Sequence, residues 1–332
     1  MKKNVELPII EPMYGTYQNQ GSGSAILSDN LSIRNWYINE AVNLTCMRRF
    51  LSGFTSPDLT IINSSWVNNP YLEIIWIDTK YLKGYIHPVI RNLINNGYYV
   101  CFDGIDDYYV KGKSWYKEKH FYHDGCICGY NQENKTYCLY AYDSNWVYRK
   151  FWTPQSSFDA GRKAAFKQGK YGYICGIKPK TDKVEFSLET VVNKLKEYLD
   201  SSMEKYPEEG EGDIYGIVVH DYIAKYVGKL FDGSIPYERM DRRIFRLIWE
   251  HKKVMLERIK CIENVLKCGT QTSKEYETVV AEANAIRMMY ASHHMKRRDS
   301  LLPVIQKKLI SLKEKEKSLL EILINKAEGA KK

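Results

Sequence analysis

Between His120 and Trp146 the chain reads HFYHDGCICGYNQENKTYCLYAYDSNW, which places two histidines, two aspartates and three cysteines in one short stretch. Side chains alternate across a strand. His123 therefore shares a face with Gly125 and Ile127, while Asp124, Cys126 and Cys128 point the other way. The turn-rich NQENK segment (Asn131 to Lys135) predicts a hairpin. Such a hairpin lays the strand ending at Asp143 beside the strand holding His123. A carboxylate next to an imidazole fixes its tautomer and stabilises the imidazolium form, giving a base and its orienter that await a nucleophile. Cysteine suits that role, because its thiolate needs only modest activation. Two other readings use the same residues. His123 and Asp143 can be ordinary polar residues at strand ends. Cys126, Cys128, Cys138 and His123 can hold zinc, although Cys-x-Cys on a strand with a lone third Cys does not match the usual ligand spacing. Cys126, Cys128 and Cys101 also fit as small buried hydrophobes.

The elements that must position these residues fall in the first part of the chain. GYYVCF (Gly97 to Phe102), the opening stretch itself, KTYCLYAY (Lys135 to Tyr142) and YGYICGI (Tyr171 to Ile177) read as strands. Two helices precede them. One spans Ile33 to Leu51, with Ser32 as cap and Gly53 as stop; the other spans His87 to Gly97. The segment NQGSGSA (Asn19 to Ala25) reads as a mobile Gly/Ser loop in which Ser22 or Ser24 is a remote nucleophile candidate.

Near residue 180 the strands give way to helices. Ser187 caps the first, and EEGEG (Glu208 to Gly212) is an acidic linker. Arg242 to Lys267 carries an apolar stripe of Phe245, Ile248, Met255, Ile259, Ile262 and Leu266 before Gly269. Further helices run from Ser273 towards Arg298 and from Leu301 to Ile324, the last with Leu302, Ile305, Leu309, Leu312, Leu320 and Leu323 in its stripe. This part reads as an antiparallel helical bundle. KEKEK (Lys313 to Lys317) reads as a solvated face. His251, on an apolar stripe, is expected to be a hydrogen-bonded core histidine. The adjacent His293 and His294 cannot both face one metal.

The chain has 332 residues, 44% hydrophobic and 27% charged, enough for two domains with a sizeable core. No apolar run approaches the roughly 18 residues of a membrane span. The basic N-terminus leads into too short an apolar run for a secretion signal. Without disulfide-framework spacing, the eight cysteines read as reduced thiols of a cytoplasmic protein. The net charge of +9 suits acidic partners, but acids alternate with the basic residues, so no nucleic-acid stripe emerges. The 27 tyrosines favour half-buried sheet surfaces and aromatic-lined pockets.

The His123-to-Asp143 segment resembles papain-like enzymes of the butirosin biosynthesis protein H type, which carry a His, then GY, a short turn, and an Asp ending the next strand. DDYYVKGKSWYKEKHF (Asp106 to Phe121) resembles the segment before that His, and RLIWEHKKVMLERI (Arg246 to Ile259) resembles the helical tail of relatives encoded beside peptide-assembly genes. The closest activity suggested is that of the cysteine-protease-like amide synthase of closthioamide biosynthesis. The resemblance implies an α+β papain-like domain over residues 1–180, a helical domain over 181–332, and a Cys-His-Asp triad. An acyl group would pass from an acidic carrier protein to the enzyme cysteine and then to a small amine or diamine, with no cofactor. His123 would deprotonate the nucleophile and Asp143 would orient His123. The nucleophile departs from the pattern. The first turn of the expected helix offers Asn35 and Trp36, and Glu40 stands where the cysteine is expected. Cys46 lies deeper, and at about 100° per residue Asn39, Asn43, Cys46 and Phe50 share one stripe. Cys46 as nucleophile, with Asn39 and Asn43 donating to an oxyanion, stands beside Cys46 as a buried helix thiol. Two other classes remain on the same residues: a binding module without chemistry, and a peptidase.

Overall fold

The protein is described from a computed structural model that covers residues 3–26, 31–52, 56–82, 84–170, 172–180, 183–201 and 212–330. In chain order its elements are β1 (Asn4–Glu6), α1 (Gln18–Ala25), α2 (Leu31–Glu40), β2 (Leu44–Met47), β3 (Thr60–Ile61), β4 (Leu72–Asp78), α3 (Ile86–Asn95), β5 (Tyr99–Asp106), β6 (Tyr122–Asn131), β7 (Thr136–Tyr142), β8 (Tyr148–Pro154), α4 (Gln155–Lys167), β9 (Tyr173–Pro179), α5 (Leu188–Asp200), β10 (Asp213–Tyr215), α6 (Val219–Phe231), α7 (Ile244–Leu266), α8 (Gln271–Lys296) and α9 (Leu301–Gly329). They form two compact units, Met1–Arg34 with Ser65–Lys183, and Asn35–Ser64 with Val184–Lys332. The protein is thus α+β with a C-terminal helical region, but residues 35–64 belong to the second unit rather than to the first.

The first unit is built on an antiparallel sheet in the order β4-β9-β5-β6-β7-β8, with β1 paired to the far end of β6. The expected β6–β7 hairpin is present. One face of the sheet is aliphatic and aromatic. Ile86, Ile90, Leu93 and Ile94 fall on one stripe of α3 and pack with Val100, Phe102, Ile127, Tyr137, Leu139 and Phe158 into the core. The alternate residues of the same strands, Cys101, Cys126, Cys128, Cys138 and Cys175, are also buried, so they are small core hydrophobes. Cys101 stands directly opposite both Cys126 and Cys175 in the ladder, and the Sγ atoms of Cys128 and Cys138 meet at 3.5 Å.

Three local expectations are corrected here. NQGSGSA is not a loop; it forms most of α1, whose Gln18, Gln20, Ser22 and Ser24 are buried. Its small residues permit close approach: a Cβ on Gly21 would collide with the Tyr148 ring. The helix expected over Ile33 to Leu51 stops at Glu40, and the chain then forms β2 and a 3-10 turn over Arg48–Ser52. After the turn at Ala41 and Val42 the segment is drawn into a strand by pairing on both sides, with β10 and with β3. Ser32 falls inside α2, and Gly53 lies outside the described residues. Strands also do not vanish after residue 180, because β10 pairs with β2 in a small sheet of order β10-β2-β3. Of the acidic linker, Glu208 to Glu211 lie outside the described residues.

The second unit is helical. Ser187 caps α5 by accepting from the Thr190 N–H at 3.2 Å. The six expected stripe residues of α9 are all buried, as are Phe245, Ile248, Met255, Ile259 and Ile262 of α7. Arg258, fully buried, donates to the carbonyls of Tyr37, Ile38 and Ala41 and so satisfies the C-terminal end of α2. His251 is a core histidine as expected, its Nε2 2.7 Å from the Val42 carbonyl.

KEKEK is not simply a solvated face. Glu316 is fully buried and takes the Lys252 ammonium at 2.6 Å and the Tyr198 hydroxyl at 2.9 Å, together with the Tyr276 hydroxyl. Lys252 also donates to His251 Nδ1 at 3.3 Å. Burial, then the Lys252 charge, pushes His220 down to about 3, and the same causes hold His251 well below its usual value. Burial opposes ionisation of Glu316, but Lys252 and His220 outweigh it and hold the carboxyl below its ordinary range. All three shifts have one sign for stability. The unfolded chain binds protons that the folded unit refuses, so stability is present above the unfolded histidine value of 6.5 and is lost as pH falls below it. Each histidine contributes a slope of up to about 1.4 kcal/mol per pH unit. Denaturant unfolding followed by circular dichroism between neutral and mildly acidic pH should show this loss; a flat profile would contradict the buried neutral histidines.

Candidate active site

His123 lies at the start of β6, opposite Ile105 of β5, past a bulge between Phe102 and Ile105. β5 ends in a 3-10 turn over Asp107–Tyr109, whose Asp106 carboxylate accepts from the Tyr108 N–H at 3.2 Å. The Asp107 N–H donates to the Phe121 carbonyl at 2.9 Å, which ties the turn to the strand entering the site. In this geometry His123 Nδ1 sits 2.7 Å from Asp107 Oδ2. The other Asp107 oxygen pairs with Lys113 Nζ at 2.7 Å, and both of these side chains are fully buried. Lys113 also donates to the Asp124 carbonyl at 3.0 Å. The orienter of His123 is therefore Asp107, not Asp143. An ionised Asp107 can only accept at this bond, so it favours the tautomer with the proton on Nδ1, in a ring whose side chain is 24% exposed.

Asp143 does something else. Its Oδ1 accepts from the backbone N–H groups of Asn145 (2.8 Å) and Val147 (2.9 Å), and its Oδ2 pairs with Arg149. Burial opposes the charge, but these donors outweigh it and hold the carboxyl below its usual range. The result is a tight turn in which Trp146 adopts a left-handed φ of 60°, a costly conformation for a bulky residue. The turn sets the half-exposed Trp146 ring edge-on to Trp115 at 4.7 Å. Trp115 continues to Phe121 (6.2 Å), Phe121 meets the His123 ring at 4.4 Å, and Lys119 lies over Trp115 and Phe121. An aromatic wall with a cation on it thus leads up to His123.

Cys46 belongs to the second unit, on β2 opposite Ile214. It is 1% exposed, and burial, then the Asp213 charge, pushes its thiol up to about 12. Such a thiol is a core residue rather than an activated nucleophile. Asn39 and Asn43 do not sit beside it on a helix. The Asn39 amide bridges the Glu185 carbonyl (3.0 Å) and the Ser187 N–H (3.1 Å), and Asn43 is buried in the turn before β2. Ser24 is bound to its own helix backbone, and Ser22 shares a hydrogen bond with Tyr148. No thiol of the first unit is hydrogen-bonded to His123 among the described residues. The zinc reading fails on the same geometry, because His123 turns to Asp107 while Cys128 and Cys138 face each other. Among the described residues no three His, Cys, Asp or Glu side chains converge as a metal-binding group.

One further acid stands near the base. Asp124, on the other face of β6, accepts from the Gln18 amide of α1 at 3.3 Å. Burial raises its carboxyl, against the opposing Lys113 and His123 charges. Because it points to the opposite face of β6, Asp124 does not share a site with His123, and the imidazole held by Asp107 is the group here whose geometry suits acid–base chemistry. Among the described residues no thiol is hydrogen-bonded to His123 in a way that would activate it. Thiol labelling checks this. In the folded protein the exposed Cys268 should react first, and Cys46 and the five sheet cysteines only on unfolding. Rapid labelling of Cys46 in the native state would restore it as a nucleophile.

Among the described residues no helix is long and apolar enough to cross a membrane. Compared with family models and with curated proteins, the chain matches none.

Proposed function

We propose that the chain is an amide-forming acyltransferase of papain-like descent in which His123 acts as a general base and the acyl group never rests on the enzyme. The acyl group would come as a thioester on an acidic carrier protein, and the acceptor would be a small amine. The observation that carries this reading is the part-exposed imidazole held by Asp107, with no thiol hydrogen-bonded to it among the described residues. In the proposed step the amine nitrogen attacks the thioester carbon while its proton passes to Nε2. The tetrahedral intermediate then collapses, the C–S bond breaks, and the imidazolium returns the proton to the departing thiolate. Amide and free carrier thiol are the products, so atoms and charge balance. Asp107, itself neutralised by Lys113, stabilises the imidazolium between the two proton transfers.

The test incubates the protein with an acylated carrier and a diamine and follows both protein masses. Amide formation with an unmodified enzyme mass supports direct transfer. An acyl adduct on the enzyme overturns it. A second reading, a binding module without chemistry, draws on the half-exposed aromatic wall and Lys119 beside His123. Carrier binding without product would favour it.

A further inference from the structure

On the aliphatic face of the large sheet, α3 and α4 both turn polar stripes inward. His87, Arg91 and Asn95 recur every four residues on α3, and Gln155, Asp159 and Arg162 follow at four and three on α4. The stripes meet at the Tyr137 hydroxyl of β7. His87 Nδ1 lies 2.6 Å from that hydroxyl, and His87 Nε2 lies 2.8 Å from Asp159 Oδ2. The guanidinium groups of Arg91 and Arg162 both act electrostatically on Tyr137.

These two arginines lack the partners such groups ordinarily have. Among the described residues Arg91 has no hydrogen bond or ion pair, and its Nε is buried. Arg162 has only Asp159, with Oδ1 3.8 Å from Nη2, and its Nε is buried without an acceptor. The Gln155 amide nitrogen is a third buried donor without an acceptor. Leaving a buried donor unpaired is costly, and an acceptor at this place relieves that cost. Arg162 and Lys163 both act on the Asp159 carboxylate, and Arg91 acts with Arg162 on the Tyr137 hydroxyl, so cationic charge gathers around this point. The Arg162, Asp159 and His87 side chains are 17%, 24% and 23% exposed, which leaves a shallow way in from solvent. A planar fork of N–H donors fits a carboxylate or phosphate edge.

We infer that Arg91 and Arg162 form a binding site for a compact oxyanion, a phosphate or a carboxylate, between α3 and α4. The site uses none of the residues assigned to acyl transfer, so it stands or falls separately from that reading. Asp159 and His87 set its limits. The carboxylate rejects a ligand that crowds its side of the cleft, and the imidazole holds that carboxylate in place. The anion must therefore approach from the arginine side.

The experiment follows the arginine Nε–H resonances of the full chain by NMR while inorganic phosphate or, separately, acetate is added. Saturable shifts of both Arg91 and Arg162 are expected. Phosphate alone shifting them assigns a phosphate site, and acetate alone a carboxylate site. Arg91→Gln should weaken binding about tenfold or more, the loss of a charged hydrogen bond, and Arg91→Lys should restore part of it. If neither anion moves these resonances, or if the shifts fall on lysines elsewhere, the assignment is overturned. The titration is decisive on the unmodified protein and does not depend on whether a variant folds.

Discussion

His123→Ala removes amide formation by roughly 10²- to 10⁴-fold, the usual contribution of a positioned base, while Cys46→Ala leaves turnover at the level of the unmodified protein. The contrast follows from the two environments. His123 is part-exposed and has Asp107 behind it. Cys46 has neither exposure nor an accessible thiolate. Asp107→Asn should also lower turnover strongly, since the amide no longer balances Lys113 or favours the imidazolium. Asp143→Asn should act more mildly, through the turn that presents Trp146. Single-turnover assays with acylated carrier read all four variants. Equal losses in Cys46→Ala and His123→Ala would sink the direct-transfer mechanism.

Glu316→Leu destabilises the second unit by about 3–5 kcal/mol, because Lys252 is then buried without a counter-charge. The ion pair is fully enclosed, and Glu316 also accepts from Tyr198 and Tyr276. Adding Lys252→Met to that variant should recover much of the loss, since removing both charges also removes the cost of burying them. Urea unfolding of the single and double variants measures this. A double variant as unstable as Glu316→Leu would show that the tyrosine bonds, rather than the lysine, set the cost.

Much of this was legible in the residues. The hydrophobic stripes of α7 and α9, the Ser187 cap and the β6–β7 hairpin follow from periodicity and turn chemistry, which are local properties. That His123 has a carboxylate beside it was also legible. Which carboxylate was not, because an inner strand has two neighbours. The turn signal at Asn131 to Lys135 advertises β7, whereas β5 returns to β6 through the long segment after Asp107 with no such mark. The DDYYV run that holds Asp107 was visible, but nothing local says that the second acid rather than the first turns towards the histidine. His120 in fact takes Asp106, at 2.7 Å. Glu316 was hidden for the opposite reason: one buried acid within KEKEK has the same letter pattern as a solvated one. Arg91 and Arg162 lie 71 positions apart (162 − 91) on separate helices, so sequence spacing could not relate them.

The grip of Arg258 on the last carbonyls of α2 has a consequence for how the chain can be taken apart. The two units are interleaved along the sequence, because residues 35–64 complete a unit whose remainder begins at Val184. A gene cut between Lys183 and Val184 would not release two self-sufficient modules. The C-terminal fragment would carry Arg258 and His251 without the carbonyls they serve, and β10 without β2. During synthesis β2 can pair with β3 within the segment, but the α2 carbonyls served by Arg258 must wait much longer, since Arg258 and Ile38 are 220 positions apart. The second unit therefore cannot be completed until its C-terminal helices have emerged, which makes its closing contacts long-range and slow to form.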